Sequence, residues 1–391
     1  MSTSTEEAMT TSTEKPPVWK RKLELRLPKP APKGPSKKKE AKPSSKQKRI
    51  VGLKIGSSQI AAAVVANNGS PRLLAAARED LRPGIVTGGE LREPEALAAS
   101  LDAFFQHHDL PRTNVRLGIG SNRIGIRVFE RPEVDDPRQL ANAIRFRAHE
   151  ALPIPMEDAM LDYHVLDDGD GPGRVLLAVT YRELVDRFVA ACRLAKIELV
   201  GIDVEAFALL RAVGGAPLAQ GQRRATACVA VTIGNDRTTV AVSDGRVCEF
   251  ARVLEWGGEN LTRTFQRTLE VEAPEAERVK RTVSLATKAS GGESTDELAE
   301  DAARREVQSL ARELGSSLEF YQSQPSSLGL SEIVLTGGTS QVKGIDKELE
   351  RLLGVGVRIA DPFERVGRGR DDIPADQAGS LAVAIGLGIE D

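Results

Sequence analysis

From Ile50 onward the apolar residues come in short runs broken by glycine turns, the rhythm of β-strands rather than long helices. RIVGLKIGSSQIAAAVVANNGSPRLLAAARED (49–80) reads as strand, glycine turn, strand, Asn-Asn-Gly turn, strand. ATACVAVTIGNDRTTVAVSDGRVCEFARV (225–253) reads the same way. Aligning Ile55-Gly56 with Ile233-Gly234 sets the two stretches 178 residues apart and matches Lys54 with Thr232, Ser57 with Asn235, and Gln59 with Arg237. That spacing is too long for a solenoid repeat and predicts two domains of related construction. A helix over Glu93–His107 and a strand over Asn114–Ile119 follow the first stretch.

Between the two stretches, Pro132–Val213 carries its own αββαβα-like pattern. Asp136-Pro137 suits a helix start, and Leu140, Ile144, Ala148 and Leu152 recur every four residues, as a helix buried on one face requires. LDYHVLDD and GRVLLAVT read as strands, Glu183–Ala195 as a helix and IELVGIDV as a strand. After Arg252 the pattern predicts helices over Glu259–Val271, Glu275–Thr287 and Thr295–Gln322. A strand over Glu332–Thr336 then ends in Gly337-Gly338, followed by a helix (Val342–Leu353), a strand (Gly356–Ala360) and an apolar helix (Asp376–Gly388).

The chain has 391 residues, enough for about two to three domains. Its net charge of −2 conceals a split: residues 1–49 hold 14 Lys/Arg against 5 Asp/Glu, a net of +9, leaving −11 for the rest. Proline, charge and low hydrophobicity mark residues 1–48 as a disordered basic tail. Within it VWKRKLELRL alternates leucine with charge, which fits a strand added to a partner's sheet edge or a solvated linker. Lys37-Lys38-Lys39 would favour an anionic membrane surface. Aromatics make up 4%, too few for base-stacking platforms, so nucleic acid is not an expected partner. The three cysteines have no metal-ligand spacing and an odd number, which fits a reducing compartment. No apolar run approaches the ~20 residues of a membrane span, and MSTSTEEAMTTSTEK lacks the apolar stretch of a secretory signal. A cytoplasmic location is expected.

Chemistry concentrates in three glycine turns that each follow an apolar strand: Gly56-Ser57-Ser58-Gln59, Gly234-Asn235-Asp236-Arg237 and Thr336-Gly337-Gly338-Thr339. Such turns expose successive backbone N–H groups and let a phosphate approach with no Cβ in the way. Hydroxyls at Ser57, Ser58 and Thr339 would add donors, and the helix expected after Gly338 would favour an anion at its N-terminus. No GxxxxGK, HExxH or GxSxG is present, and Gly118-Ile119-Gly120 lacks the third glycine of a dinucleotide fingerprint. His149 and His164 stand alone, while His107-His108 closes a helix, where cations suit the carbonyl end.

These turns resemble the actin-like nucleotide-binding superfamily and, within it, the PilM family of type IV pilus assembly proteins, relatives of the cell-division protein FtsA. VGLKIGSSQIAAAVV is similar to the family's first phosphate hairpin and VAVTIGNDRTTVAV to the second. IVLTGGTSQVKGIDKELERLLGVGVRIADPF resembles the adenosine segment. Gly257-Gly258 and the pair Glu277 and Lys280 resemble a phosphate-side GG element and a purine-contacting E-x-x-K helix; that pair equally suits an exposed i,i+3 ion pair. RPEVDDPRQLANAIRFRAHEALPIP, LDYHVL and DVEAFALLRAV are similar to the inserted 1C subdomain.

The resemblance implies an α/β, actin-like (ribonuclease H-like) two-domain fold with an inserted, SHS2-like 1C subdomain. Domain 1A would cover 49–130 and be completed by 374–391; the insertion would cover 131–213. Domain 2 would cover 214–373, with 2A at 225–258 and 331–362 and 2B at 259–330. It implies ATP or ADP as ligand, a PilN-like inner-membrane protein's cytoplasmic N-terminus as partner, and contacts with other platform proteins, assembly ATPases or further copies. The location would be peripheral to the inner membrane. The family usually carries an acidic residue before the I-G of both hairpins to support Mg²⁺; here Lys54 and Thr232 stand there. Neither matches a carboxylate as a hard-cation ligand. Lys54 would neutralise phosphate directly or reach solvent from a strand end. Asp236 is a turn residue or a ligand through water. The expectation is nucleotide binding with weak or no hydrolysis, no catalytic residue and no resident metal. Two alternatives share the fold: an FtsA-like self-assembling division protein, and a small-molecule kinase.

Overall fold

The computed structural model describes residues 48–134, 136–151, 155, 157–166, 173–215, 218, 224–286, 294–325, 327–367 and 373–390. The tail with its VWKRKLELRL and Lys37–Lys39 segments lies outside the described residues. The two strand stretches fold as read. In the first, β1 (Arg49–Ile55), β2 (Gln59–Ala66) and β3 (Arg72–Asp80) form an antiparallel meander. After the small hairpin β4 (Val86–Thr87) and β5 (Glu90–Leu91) comes α1 (Pro94–His107), and β6 (Val115–Ile119) returns parallel to β1. Leu97, Leu101, Phe104 and Phe105 of α1 are buried on one stripe against this sheet, at roughly 1.5–3 kcal/mol per large apolar side chain.

The middle segment does not close on itself. β7 (Ile124–Glu130), α2 (Pro137–Ala151), β8 (Ala159–Leu166) and β9 (Arg174–Tyr181) make a strand–helix–strand–strand unit whose sheet order is β7-β9-β8. Leu140, Ile144 and Ala148 of α2 cover its face at Val175 and Leu177. By contrast α3 (Arg182–Leu194) packs in the first core, and β10 (Leu199–Val204) pairs with β6. Strand β7, which the sequence pattern left unassigned, supplies the inserted sheet, while β10, read as part of the 131–213 unit, completes the first sheet as β10-β6-β1-β2-β3.

The second half repeats this order. β11 (Ala227–Ile233), β12 (Thr238–Ser243) and β13 (Cys248–Leu254) form the meander, and the sheet runs β13-β12-β11-β14-β15 with β14 (Leu330–Thr336) and β15 (Val357–Ile359). Helices α5 (Gly258–Leu269), α6 (Ala273–Thr282) and α7 (Thr295–Gln322) intervene. Ser294 caps α7 by accepting from the Glu297 N–H at 3.3 Å. The helix read over Val342–Leu353 is present as α8 (Ile345–Leu353) and starts three residues later than read, because Gly344 at φ +84 precedes its first residue; a single 3-10 turn (Gly338–Gln341) lies before it.

Two helices lock the halves together. α4 (Glu205–Val213) follows β10 yet packs on β11 and β12, while α9 (Ala375–Gly388) follows β15 and packs on β1 and β2. They cross so closely that a Cβ on Gly386 would lie 1.8 Å from the Ala208 carbonyl oxygen. Helix α9 is buried almost all round, as its continuous apolar sequence demands.

Candidate nucleotide cleft

The two hairpin turns face each other across the junction of the halves. Each closes with a short backbone bond, Gly56 N–H to Gln59 O and Gly234 N–H to Arg237 O, both 2.9 Å, which leaves Ser57-Ser58 and Asn235-Asp236 at the apices. Lys54, Gly56, Ser57, Ser58 and Gln59 line one wall of a cavity of about 30 Å³; Thr232, Gly234, Asn235, Asp236, Arg237 and Thr239 line the other, with Glu205 between them. That volume suits two or three waters at roughly 10–15 Å³ each, so the turns would have to separate to admit a nucleotide.

Two contacts hold the cleft shut. Asn235 Nδ2 donates to Ser57 Oγ at 3.4 Å, and Asp236 Oδ2 accepts from the Gly88 N–H at 2.9 Å. Asp236 is therefore more than a turn residue: its carboxylate reaches the loop between β4 and β5. Arg237 lies beneath that loop, where a Cβ on Gly89 would fall 1.7 Å from its Nη1. Its side chain is 11% exposed, and among the described residues Nη1 is buried with no hydrogen-bond partner. A desolvated donor of this kind costs about 1–3 kcal/mol unless an acceptor arrives, and phosphate oxygen is a suitable one.

The other predicted residues gather behind the second turn. The N–H groups of Gly258 and Glu259 donate to the carbonyls of Gly234 and Asn235, at 2.9 and 2.8 Å, so α5 is seated directly on the turn. Gly257 passes over Asn235 with no room for a Cβ, which would lie 2.4 Å from the Asn235 carbonyl. Lys280 is 12% exposed, pairs with Glu277 at 2.6 Å, and reaches Thr262 Oγ1 at 3.0 Å and the Gly258 carbonyl at 3.4 Å. The E-x-x-K pair is thus an ion pair whose lysine ties α6 to the first turns of α5; neither residue lines the cavity itself. Thr339 Oγ1 donates to the Gly234 carbonyl at 3.0 Å.

The third turn differs from expectation. Gly337 takes φ +96 and spends its N–H on the Gly379 carbonyl of α9 at 3.1 Å, with the 3-10 turn following. A 3-10 turn rather than an α-helix follows Gly338 directly, and α8 starts only at Ile345, so the dipole argument for an anion at that turn does not apply. Gly338 is exposed, with open space where its Cβ would be. The first and second turns meet through Ser57 and Asn235, while Gly258 and Thr339 both join the second turn at the Gly234 carbonyl.

Three cleft residues escaped the reading of the sequence: Arg237, Thr239 and Glu205. Arg237 was matched to Gln59 but not assigned to the site. Glu205, 3% exposed and lining the cavity, was not singled out; its signal was the strand-to-helix junction in DVEA. Alongside these, Lys54 and Arg237 supply the cationic charge.

Two sheets of the same order, hairpin turns opposed across a cleft, and a closing helix from each half packed on the other define an actin-like two-domain fold. A family profile described as type IV pilus assembly protein PilM matches residues 52–391, and the chain belongs to that family. A solved PilM-PilN type IV pilus biogenesis complex contains a chain of 26% identity that superposes with TM-score 0.73 over 88% of this chain and 98% of that one. MreB5 of Spiroplasma citri, solved bound to AMPPNP, superposes with TM-score 0.50 at 13% identity over 88% of this chain and 95% of its own. The cell division protein FtsA of Bacillus subtilis is 25% identical over 182 residues, which span 42% of this chain and 41% of FtsA. No described helix is long and apolar enough to cross a membrane.

Proposed function

We propose that this chain is a nucleotide-binding adaptor of the type IV pilus inner-membrane platform, which holds the cytoplasmic N-terminus of a PilN-like membrane protein. Family membership and the likeness to the PilM-PilN complex support the pilus role and the partner. One observation carries the nucleotide reading: the opposed glycine turns form a cleft in which Lys54 and the buried, unpartnered Nη1 of Arg237 supply positive charge. ATP or ADP between the turns would replace the Asn235–Ser57 contact and so set how far the halves separate. The nucleotide then selects between shapes offered to partners, as ligands do when they bind two states unequally.

The donor set suits phosphate better than a hard dication. Among the described residues lining the cleft, only Asp236 and Glu205 offer carboxylates, and Asp236 is engaged by Gly88. Those two residues would hold Mg²⁺ if it accompanies the nucleotide, where it would shield phosphate charge. Without carboxylates at 54 and 232, turnover is weak and binding does not require metal.

Calorimetric titration of the full chain with ATP, in Mg²⁺ and in EDTA, tests this reading. Binding of similar strength in both, with negligible phosphate release, is expected, together with an affinity for a PilN-like N-terminal peptide that changes with nucleotide. Binding confined to Mg²⁺ or rapid turnover would overturn the metal-independent reading, and failure to bind the peptide would overturn the adaptor role.

A further inference from the structure

We propose that Glu79, His107 and His108 form a site for a divalent transition-metal ion of the zinc, nickel or copper class, where β3 meets the C-terminal end of α1. The nucleotide cleft uses none of these residues. Neighbouring side chains inside a helix point about 100° apart, as 3.6 residues per turn dictates, and do not share a ligand. Here the helix ends at His107, His108 is its cap at φ −97, and Asp109 turns away at φ +48. The two imidazoles consequently stack, with centroids 4.8 Å apart and planes at 26°. Phe104 meets the His108 ring edge-on at 5.1 Å and fixes its orientation.

Both rings converge on one atom. His107 Nδ1 lies 2.5 Å and His108 Nε2 2.9 Å from Glu79 Oε1. The three potential ligand atoms all lie within 4.8 Å of one another. His108 Nε2 is shielded from solvent and, although within reach of the carboxylate, makes no hydrogen bond of acceptable angle. An ion ligated by that nitrogen would satisfy it.

The chemistry selects the ion. Two imidazole nitrogens and one carboxylate oxygen suit zinc, nickel or copper, whereas calcium and magnesium take oxygen ligands. Ligand distances of roughly 2.0–2.2 Å in a tetrahedron set neighbouring ligand atoms about 3.5 Å apart, so Glu79 Oε1 draws back from both rings by about 1 Å or less to admit the ion. His107, 75% exposed, is free to adjust with it. The carbonyl end of α1 adds a favourable field for a cation. Solvent access at His107 leaves a coordination position for water.

The test is a calorimetric titration of the tag-free full chain with Zn²⁺, with Co²⁺ absorption as the coordination readout. Wild type is expected to bind one ion per chain with a visible cobalt ligand-field band. Glu79→Gln, His107→Ala and His108→Ala should each weaken Zn²⁺ binding at least tenfold and abolish zinc-induced thermal stabilisation. Circular dichroism and the ATP titration should match wild type in these variants. Glu79→Gln, the least disruptive change, decides the question if a histidine variant misfolds. Unchanged zinc affinity in Glu79→Gln or in the double His107→Ala/His108→Ala variant, or the absence of a cobalt band, would overturn the site and leave a hydrogen-bonded surface cluster.

Discussion

Arg174→Met should destabilise the protein by about 3 kcal/mol, because Arg174 is the cation that ties the inserted sheet to the second half. It sits on β9, 11% exposed, and its guanidinium reaches Asp244 at 3.1 Å and Glu249 at 2.9 Å. Those carboxylates are 0% and 6% exposed. Removing one partner of a buried ion pair typically costs ~3–5 kcal/mol. The lower end applies because other donors remain: Asp244 keeps the N–H groups of Arg246 and Val247, both 2.9 Å away, and Glu249 keeps the Tyr321 hydroxyl at 2.7 Å. Methionine also preserves the packing of the arginine stem.

The pH dependence has a definite sign. Burial raises the Asp244 carboxyl, but the two backbone N–H groups and Arg174 outweigh it, and the net shift is downward. A carboxyl lowered in the folded state stabilises above its unfolded value, about 3.9, and loses that contribution as pH falls through the folded value. The gap between wild type and Arg174→Met should therefore be full at pH 7 and narrow below pH ~4. Urea unfolding at both pH values measures it. A loss under ~1 kcal/mol at neutral pH, or a gap that widens in acid, would refute the reasoning, since a buried cation between two carboxylates cannot be that dispensable.

Other expectations follow from close approaches and burial. Gly386→Ala puts a methyl 1.8 Å from the Ala208 carbonyl oxygen and should cost ~1–3 kcal/mol by forcing α4 and α9 apart; calorimetric melting would show a lower Tm, and an unchanged one would disprove the contact. Arg237→Ala should weaken ATP binding in EDTA about tenfold or more, since it removes a desolvated charged donor worth roughly 1.5–3 kcal/mol, while the far-ultraviolet spectrum stays that of wild type. Cys192, Cys228 and Cys248 are all buried, and burial pushes the Cys192 thiol up to about 12 and raises the other two. A nitrobenzoate disulfide reagent should find no reactive thiol in the native chain and three in denaturant; rapid native labelling would contradict the packing.

Much of this protein was legible one residue at a time. The duplicated meander shows in the sequence because strand alternation and an I-G turn are local: β1 and β11 each span seven residues and end at the aligned Ile55 and Ile233. The same holds for α7, found over Thr295–Gln322 as read, and for α9, whose unbroken apolar composition admits only a buried helix. Most of the cleft residues came from the same glycine turns. Tertiary structure alone decided the partners. Nothing near Leu199–Val204 indicates that β10 pairs with β6 rather than with the neighbouring strands β8 and β9, since a parallel pairing joins segments eighty residues apart and local pattern carries no record of it. Likewise Gly88 and Gly89 acquire meaning only through Asp236 and Arg237 on the opposite half. The charge of Glu205 became part of the cleft when the β10–α4 junction was laid against it. Hydrophobic periodicity specifies which face of each element is buried; which element covers that face depends on packing and long-range register, and these exist only once the chain has folded.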